Sequence, residues 1–243
     1  MTSELLAQEG IPIFPAGVVK QYKNLNPPEI PSMEDFDFNK QANSNPETTQ
    51  FGTEPPNILE HNGLLDLKIW FEDCIKDYLD NEMTLDYKEF WISESWLNKS
   101  WPGSHQSMHN HGNSLISGVY YHKTIPEHPP LIFERVTANL DPFVSLRKHY
   151  KASNQNFTNK IGMPAESGTL IMFNSYLYHG FGVNNTKEPR ISLPFNVLAN
   201  LSDRDSFKMD FVKQERWLNN DDAARYTVKG DGTTGGIERR MSK

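Results

Sequence analysis

A mainly β protein is what this sequence predicts, and three observations point there. Sixteen prolines, fifteen glycines and an aromatic content of 12% suit strands and turns better than a helical bundle. From residue 90 onward the pattern becomes that of strands, in short segments at 90–96, 106–111, 115–122, 131–133, 168–173 and 190–197. Only one stretch, ahead of those runs, has a convincing helical period. At 243 residues the chain can form one generous domain, and all-β domains are often this long.

Taken in order, Ile11, Ile13, Phe14, Val18 and Val19 predict an early strand, kept to a sheet edge by Pro12 and Pro15. Residues 24–62, rich in Asn, Pro, Glu and Thr, read mostly as loop. The helix is expected at 64–79, where Leu64, Leu67, Phe71, Ile75 and Tyr78 form one stripe at spacings of three and four. Asp66, Lys68, Asp73, Lys76 and Asp77 are left for water, and the helix is expected to pack on the outside of a sheet. Cys74, beside the stripe, reads as a small core residue rather than a nucleophile. The segment 123–163 is polar and proline-bearing apart from its one strand, and loops this long are commonly functional; it is the candidate lid and substrate-selecting loop. The domain is expected to span 1–228, with its core at 88–200, followed by a polar tail at 229–243.

Composition narrows the function classes. With 31 acidic against 24 basic residues the formal charge is -7, which disfavours nucleic acid as a partner, since that needs a basic footprint. The single cysteine excludes an intrachain disulfide framework and fits a reducing compartment. Met1-Thr2-Ser3-Glu4 does not open a signal peptide, and no apolar run is long enough to span a bilayer. A soluble cytoplasmic protein without membrane contact is expected. Neither composition nor pattern reveals the oligomeric state.

Three histidines and an arginine carry the chemistry. On a strand, residues i and i+2 face the same way, so His109 and His111 can reach one metal ion while Asn110 faces elsewhere. His179 is the best third ligand; it follows an apolar strand and is expected in a turn closed by Gly180. Imidazole suits iron, zinc, copper and nickel alike. His61, His122, His128 and His149 read as surface or satisfied core residues, and His105 faces the site only if the strand has no bulge. Arg190 and Ser192 share a strand face, where a guanidinium and a hydroxyl could grip a carboxylate; the competing partner for Arg190 is a protein acid such as Glu134. Tyr121, with the parity of the paired histidines, faces the interior in preference to Tyr120, while Asn196 and Asn174 are candidate pocket residues.

The strings 106–121 and 168–190, with Phe195-Asn196 after them, resemble the 2-oxoglutarate- and Fe(II)-dependent oxygenases found in bacteria and marine phages. The resemblance runs over 96–196, with a gap through the loop after His122. It implies a double-stranded β-helix, the jelly-roll or cupin-like fold, here with flanking N-terminal helices. It also implies Fe(II) held by His109, His111 and His179, with 2-oxoglutarate and O2 as co-substrates. Arg190 would take the distal carboxylate of 2-oxoglutarate, with Ser192 in support, and a small-molecule or protein/peptide substrate would be hydroxylated.

One departure matters. The wider superfamily places a carboxylate where His111 stands, and no Asp or Glu occurs from 95 to 126. Either three histidines complete the site or a carboxylate arrives from outside that segment; three neutral imidazoles would leave the iron one charge more positive. Two other readings remain open: a three-histidine dioxygenase that does not use 2-oxoglutarate, and a non-enzymatic jelly-roll module whose metal is structural. The first has no need of Arg190. The second needs a fourth ligand, for which His105 is the nearby candidate.

Overall fold

The computed structural model describes residues 17–24, 39–40, 48–51, 57–60, 62–135 and 160–202. In chain order these hold β1 (Val19–Lys23), β2 (Asn39–Lys40), β3 (Thr48–Phe51), α1 (Leu65–Asp77), β4 (Tyr87–Ser95), β5 (Leu97–Ser100), β6 (Gln106–His109), β7 (Ile116–Lys123), β8 (Leu131–Glu134), β9 (Lys160–Met163), β10 (Thr169–Asn174), β11 (Tyr178–Phe181) and β12 (Arg190–Leu201). The chain divides into one unit of Met1–Phe211 and another of Val212–Lys243. That second unit, with the tail expected at 229–243, lies outside the described residues, as do the expected strand residues Ile11, Ile13 and Phe14, the loop centre at 136–159, and His61 and His149.

The last eight strands nest like one long folded hairpin. β8 pairs with β9, β7 with β10, β6 with β11 and β5 with β12, every pair antiparallel. The hairpin is then wound on itself, because β12 also pairs with β7 and β11 with β8. The result is two sheets. One runs β1-β10-β7-β12-β5-β3-β2 with β4 added beside β12; the other runs β6-β11-β8-β9. This is the jelly-roll connectivity expected from the resemblance, and the protein is mainly β.

The larger sheet is covered on both faces, and its sequence says so. All six residues of β10 are buried, an apolar run rather than an alternation. On one face Ile116, Tyr120, Leu170, Met172, Ile191, Leu193, Phe195 and Val197 pack in a single core with α1. The helix delivers the predicted stripe: Leu64, Leu67, Phe71, Ile75 and Tyr78 are wholly buried, each worth roughly 1.5–3 kcal/mol as an upper estimate. Asp66, Asp73 and Lys76 are exposed, and Lys68 and Asp77 half-exposed. The helix loosens into a wide turn at Tyr78–Glu82, where Met83 N–H bonds back to Tyr78 O at 3.0 Å, and Thr84 at φ 46° turns the chain away. Gly118 is required by this layer: a Cβ there would lie 2.3 Å from the Phe195 ring.

On the other face Tyr121, Ile171 and Phe173 meet Leu131 and Phe133 of β8 and form a second, smaller core between the sheets. Strands β5, β9 and β11 were not expected. They are four residues each, and polar or glycine-bearing, so no period shows in them. Among the described residues no helix is long and apolar enough to cross a membrane.

Candidate metal centre

β6 and β11 are neighbours, and His109 stands directly opposite His179 in their ladder. His179 therefore lies within a strand and not in the turn the sequence predicts. Gly180 does not close a turn either. A Cβ at that position would sit 2.6 Å from Gln106 O and 3.1 Å from Met108 Sδ, so glycine lets the two strands close up beside the histidine pair. The register slips just after His179, between that residue and Phe181. His111 lies two residues beyond the end of β6, so strand alternation does not place it. Its backbone N–H bonds to Ser175 O at 2.9 Å, which brings it alongside the other two.

The three imidazoles gather closely. Each offers one nitrogen to a group in which all such atoms lie within 4.8 Å of one another. Ring centroids are 4.4 Å apart for His109 and His179, 5.2 Å for His109 and His111, and 5.1 Å for His111 and His179. The protons can be placed from the partners. His109 Nδ1 is 2.9 Å from Ser107 O and His179 Nδ1 is 2.9 Å from Leu177 O. A carbonyl only accepts, so both Nδ1 atoms carry hydrogen and both Nε2 lone pairs are free for a metal. His111 Nδ1 is 2.6 Å from Asn196 Oδ1, with the same consequence.

Phe173 and Phe133 wall this site, with ring centroids 4.5 and 6.4 Å from that of His179. Burial among them pushes the His179 pKa down to about 3, and burial also lowers that of His109. Neutral imidazole is the ligand form, so the surroundings favour metal over proton.

Arg190 is 3% exposed. It lies 3.7 Å from the Phe181 ring centroid and 5.5 Å from that of Tyr121, a cation stacked on two aromatic faces. One terminal nitrogen donates to Pro129 O at 3.1 Å, while Nε has no partner. Glu134, the competing partner, bonds instead with Lys160 at 3.3 Å, and among the described residues no carboxylate pairs with the arginine. Burial alone lowers its pKa. Close by in the sheet, Tyr121 stands opposite both Ser192 and Thr169, and Ser192 opposite Asn98. In this row Tyr121 OH, Thr169 Oγ1 and Asn98 Oδ1 are all buried without partners. A buried cation and a row of unsatisfied polar atoms fit an anionic, hydrogen-bonding ligand.

The structure thus brings His109, His111 and His179 together and joins Asn196 to them, while Arg190, Ser192 and Tyr121 form the polar row. Tyr120 packs on the helix side, and Asn174 is used there too, accepting from Val18 N–H at 3.1 Å and from Tyr78 OH at 3.3 Å. His128 is a satisfied interior histidine, bonded to Ile125 N–H and Glu188 O at 3.0 Å each, and His105 is exposed and outside the histidine group. Sequence reasoning missed Asn98, Thr169 and Ser175, Glu94 and Ser117, which both bond Asn196, and Trp96, whose ring centroid lies 6.3 Å from that of His111. Only Ser117 carried a signal, since it has the parity of Tyr121 on β7.

Residues 94–196 match the model of a family described as "Putative 2OG-Fe(II) oxygenase". No curated protein matches the chain. Among solved structures, HygX from Streptomyces hygroscopicus with nickel and 2-oxoglutarate bound is 14% identical, with 74% of this chain and 84% of that one covered and a TM-score of 0.46. A 2OG-Fe(II) oxygenase family oxidoreductase from Burkholderia pseudomallei is 10% identical over 63% and 68% of the two chains, with a TM-score of 0.45. A Pseudomonas putida prolyl-4-hydroxylase is 14% identical over 66% and 76%, with a TM-score of 0.43. These likenesses are distant, whereas the matched segment holds all three histidines, Arg190 and Asn196. Over residues 94–196 the chain is similar to the family described as "Putative 2OG-Fe(II) oxygenase".

Proposed function

We propose that the protein is a 2-oxoglutarate- and Fe(II)-dependent oxygenase of the hydroxylase type, with His109, His111 and His179 as the iron ligands. One observation carries this reading: three imidazoles with their Nδ1 hydrogens committed converge, and Phe181, two residues after His179, stacks on a buried arginine that pairs with no acid among the described residues. With both co-substrates bound, such a centre supplies the oxidising power to put one oxygen atom of O2 into a substrate C–H bond while 2-oxoglutarate is converted to succinate and CO2.

The chain's own residues do the rest. Arg190 receives the distal carboxylate of 2-oxoglutarate through its unpartnered Nε edge, and Tyr121 OH and the Ser192 side chain supply further polar contact. Stacking between Phe181 and Tyr121 holds the guanidinium in place before the ligand arrives. Phe133 and Phe173 keep water from the His179 side. Ser107, Leu177 and Asn196 hold the Nδ1 protons and so aim the imidazoles. The substrate is a small molecule or a protein side chain rather than nucleic acid, in keeping with the charge of -7, and the single buried thiol at Cys74 fits a cytoplasmic setting.

The rival without 2-oxoglutarate leaves a buried cation with no counter-charge among the described residues. A structural zinc site needs a fourth ligand, and the group found among the described residues has three. The test is an anaerobic titration of Fe(II) and then 2-oxoglutarate into metal-free protein, followed by visible absorption. A charge-transfer band that needs both additions is expected. Its absence, together with tight zinc binding, would overturn the reading in favour of a structural metal.

A further inference from the structure

Beyond the three histidines lies a second layer that accounts for the third one. Asn196 stands directly opposite Glu94 in the β12–β4 ladder, and its Nδ2 donates to Glu94 Oε1. Asn113 Nδ2 reaches the same oxygen at 3.4 Å. On its other side, Asn196 Oδ1 accepts from His111 Nδ1 at 2.6 Å and from Ser117 Oγ at 2.7 Å. Ser117 in turn contacts Ser175 at 2.8 Å, and Ser114 donates to Ser175 at 2.9 Å. Asn196 is 1% exposed, so solvent does not decide which way its amide points.

A carboxylate accepts and cannot donate, so Glu94 turns the amide NH2 toward itself. The amide oxygen must then face His111, which must carry its hydrogen on Nδ1 and leave Nε2 bare. Were the amide reversed, NH2 would face Nδ1, the hydrogen would move to Nε2, and the metal would lose its lone pair. His109 and His179 need no such device, because backbone carbonyls hold their Nδ1 hydrogens. His111, outside any strand, has no carbonyl there. We propose that Glu94 is a positioning residue which, through Asn196, sets the tautomer of His111, and that it places near the iron the negative charge absent from the ligand set.

The inference rests on His111 being a ligand, and its test separates the two claims. The full-length, metal-free protein is labelled with 15N-histidine and observed at about pH 8, where imidazoles are neutral. Wild type should show His111 protonated at Nδ1 and bare at Nε2. Glu94→Gln frees the amide pair to reverse, so a mixture of His111 tautomers should appear and Ni(II) affinity should fall about tenfold or more. The double variant Glu94→Gln with Asn196→Asp exchanges the two groups, giving His111 an acceptor-only partner. It should return the Nδ1–H pattern and bring Ni(II) affinity back to within about threefold of wild type. A Glu94→Gln protein with wild-type nitrogen shifts would overturn the proposal, as would a double variant that folds by circular dichroism yet restores neither readout. Retained Ni(II) affinity in His111→Ala would instead remove His111 from the ligand set, a failure of the functional reading that the nitrogen spectra alone do not produce.

Discussion

The two faces of β12 use one strand for opposite ends. Ile191, Leu193, Phe195 and Val197 point toward α1 and are wholly buried in an apolar core, where Phe195 stacks on Phe71 at 4.9 Å. Arg190, Ser192 and Asn196 point the other way and are equally buried, at 3%, 2% and 1% exposure, among polar groups that are not all satisfied. The helix face stores stability; the inner face keeps bonding capacity that the described residues leave partly unsatisfied. Burial does not distinguish them, whereas hydrogen-bond accounting does.

Substitutions should separate the faces by the sign and size of their effect. Phe195→Ala, on the helix face, is expected to cost about 3–5 kcal/mol in urea unfolding; a loss below about 1 kcal/mol would mean that this face is not the stabilising one. His179→Ala is expected to lower Ni(II) affinity at least about a hundredfold by calorimetry, with a cooperative unfolding transition retained. If metal affinity survives, the histidine group does not form the site. Arg190→Met is expected to abolish 2-oxoglutarate binding, spare metal binding, and leave the ligand-free protein as stable or more stable by about 1–2 kcal/mol, since a buried charge with no acid partner among the described residues has gone. Marked destabilisation by Arg190→Met would place the arginine with the structural face.

The smallest effect lies outside both faces, where Lys20 of β1 bonds Asp77 of α1 at 2.6 Å and Tyr22 OH bonds it at 2.7 Å. The Lys20 ammonium, then the Tyr22 hydroxyl, hold the Asp77 carboxyl down to about 2. A depressed pKa contributes stability that is complete above the ordinary value of 3.8 and is lost as pH falls through about 2. Asp77 is 39% exposed, so Asp77→Asn should cost under about 1 kcal/mol at neutral pH, and the two stability curves should converge toward pH 2. Parallel curves over that range would show that the pair contributes nothing electrostatic.

Much of the helix face was legible beforehand. The stripe from Leu64 to Tyr78 has a 3.6-residue period strong enough to mark both the helix and its buried side. Tyr121 could be told from Tyr120 by parity alone, because β7 runs unbroken through both. Parity failed where strands end. It served His109, but His111 lies in a loop, and His179 was read into a turn because β11 is four residues long and carries Gly180. Asn174 was misread for the opposite reason: its strand is buried on both faces, so polarity could not say which face it joins.

By itself the sequence determined the elements with strong local periods, and the inventory of the candidate site: three histidines, an arginine and a hydroxyl in an order that resembles a known family. Tertiary structure decided what that inventory could do. The opposition of His109 to His179 depends on the register of two short strands, and the bond from Asn196 to Glu94 joins residues far apart in the chain. Arg190 is a buried cation lacking an acid among the described residues, and Glu134, its competing partner in the sequence, pairs instead with Lys160 on the neighbouring strand. Local periodicity reports which way a side chain points; which partner meets it there is fixed only when distant strands pair.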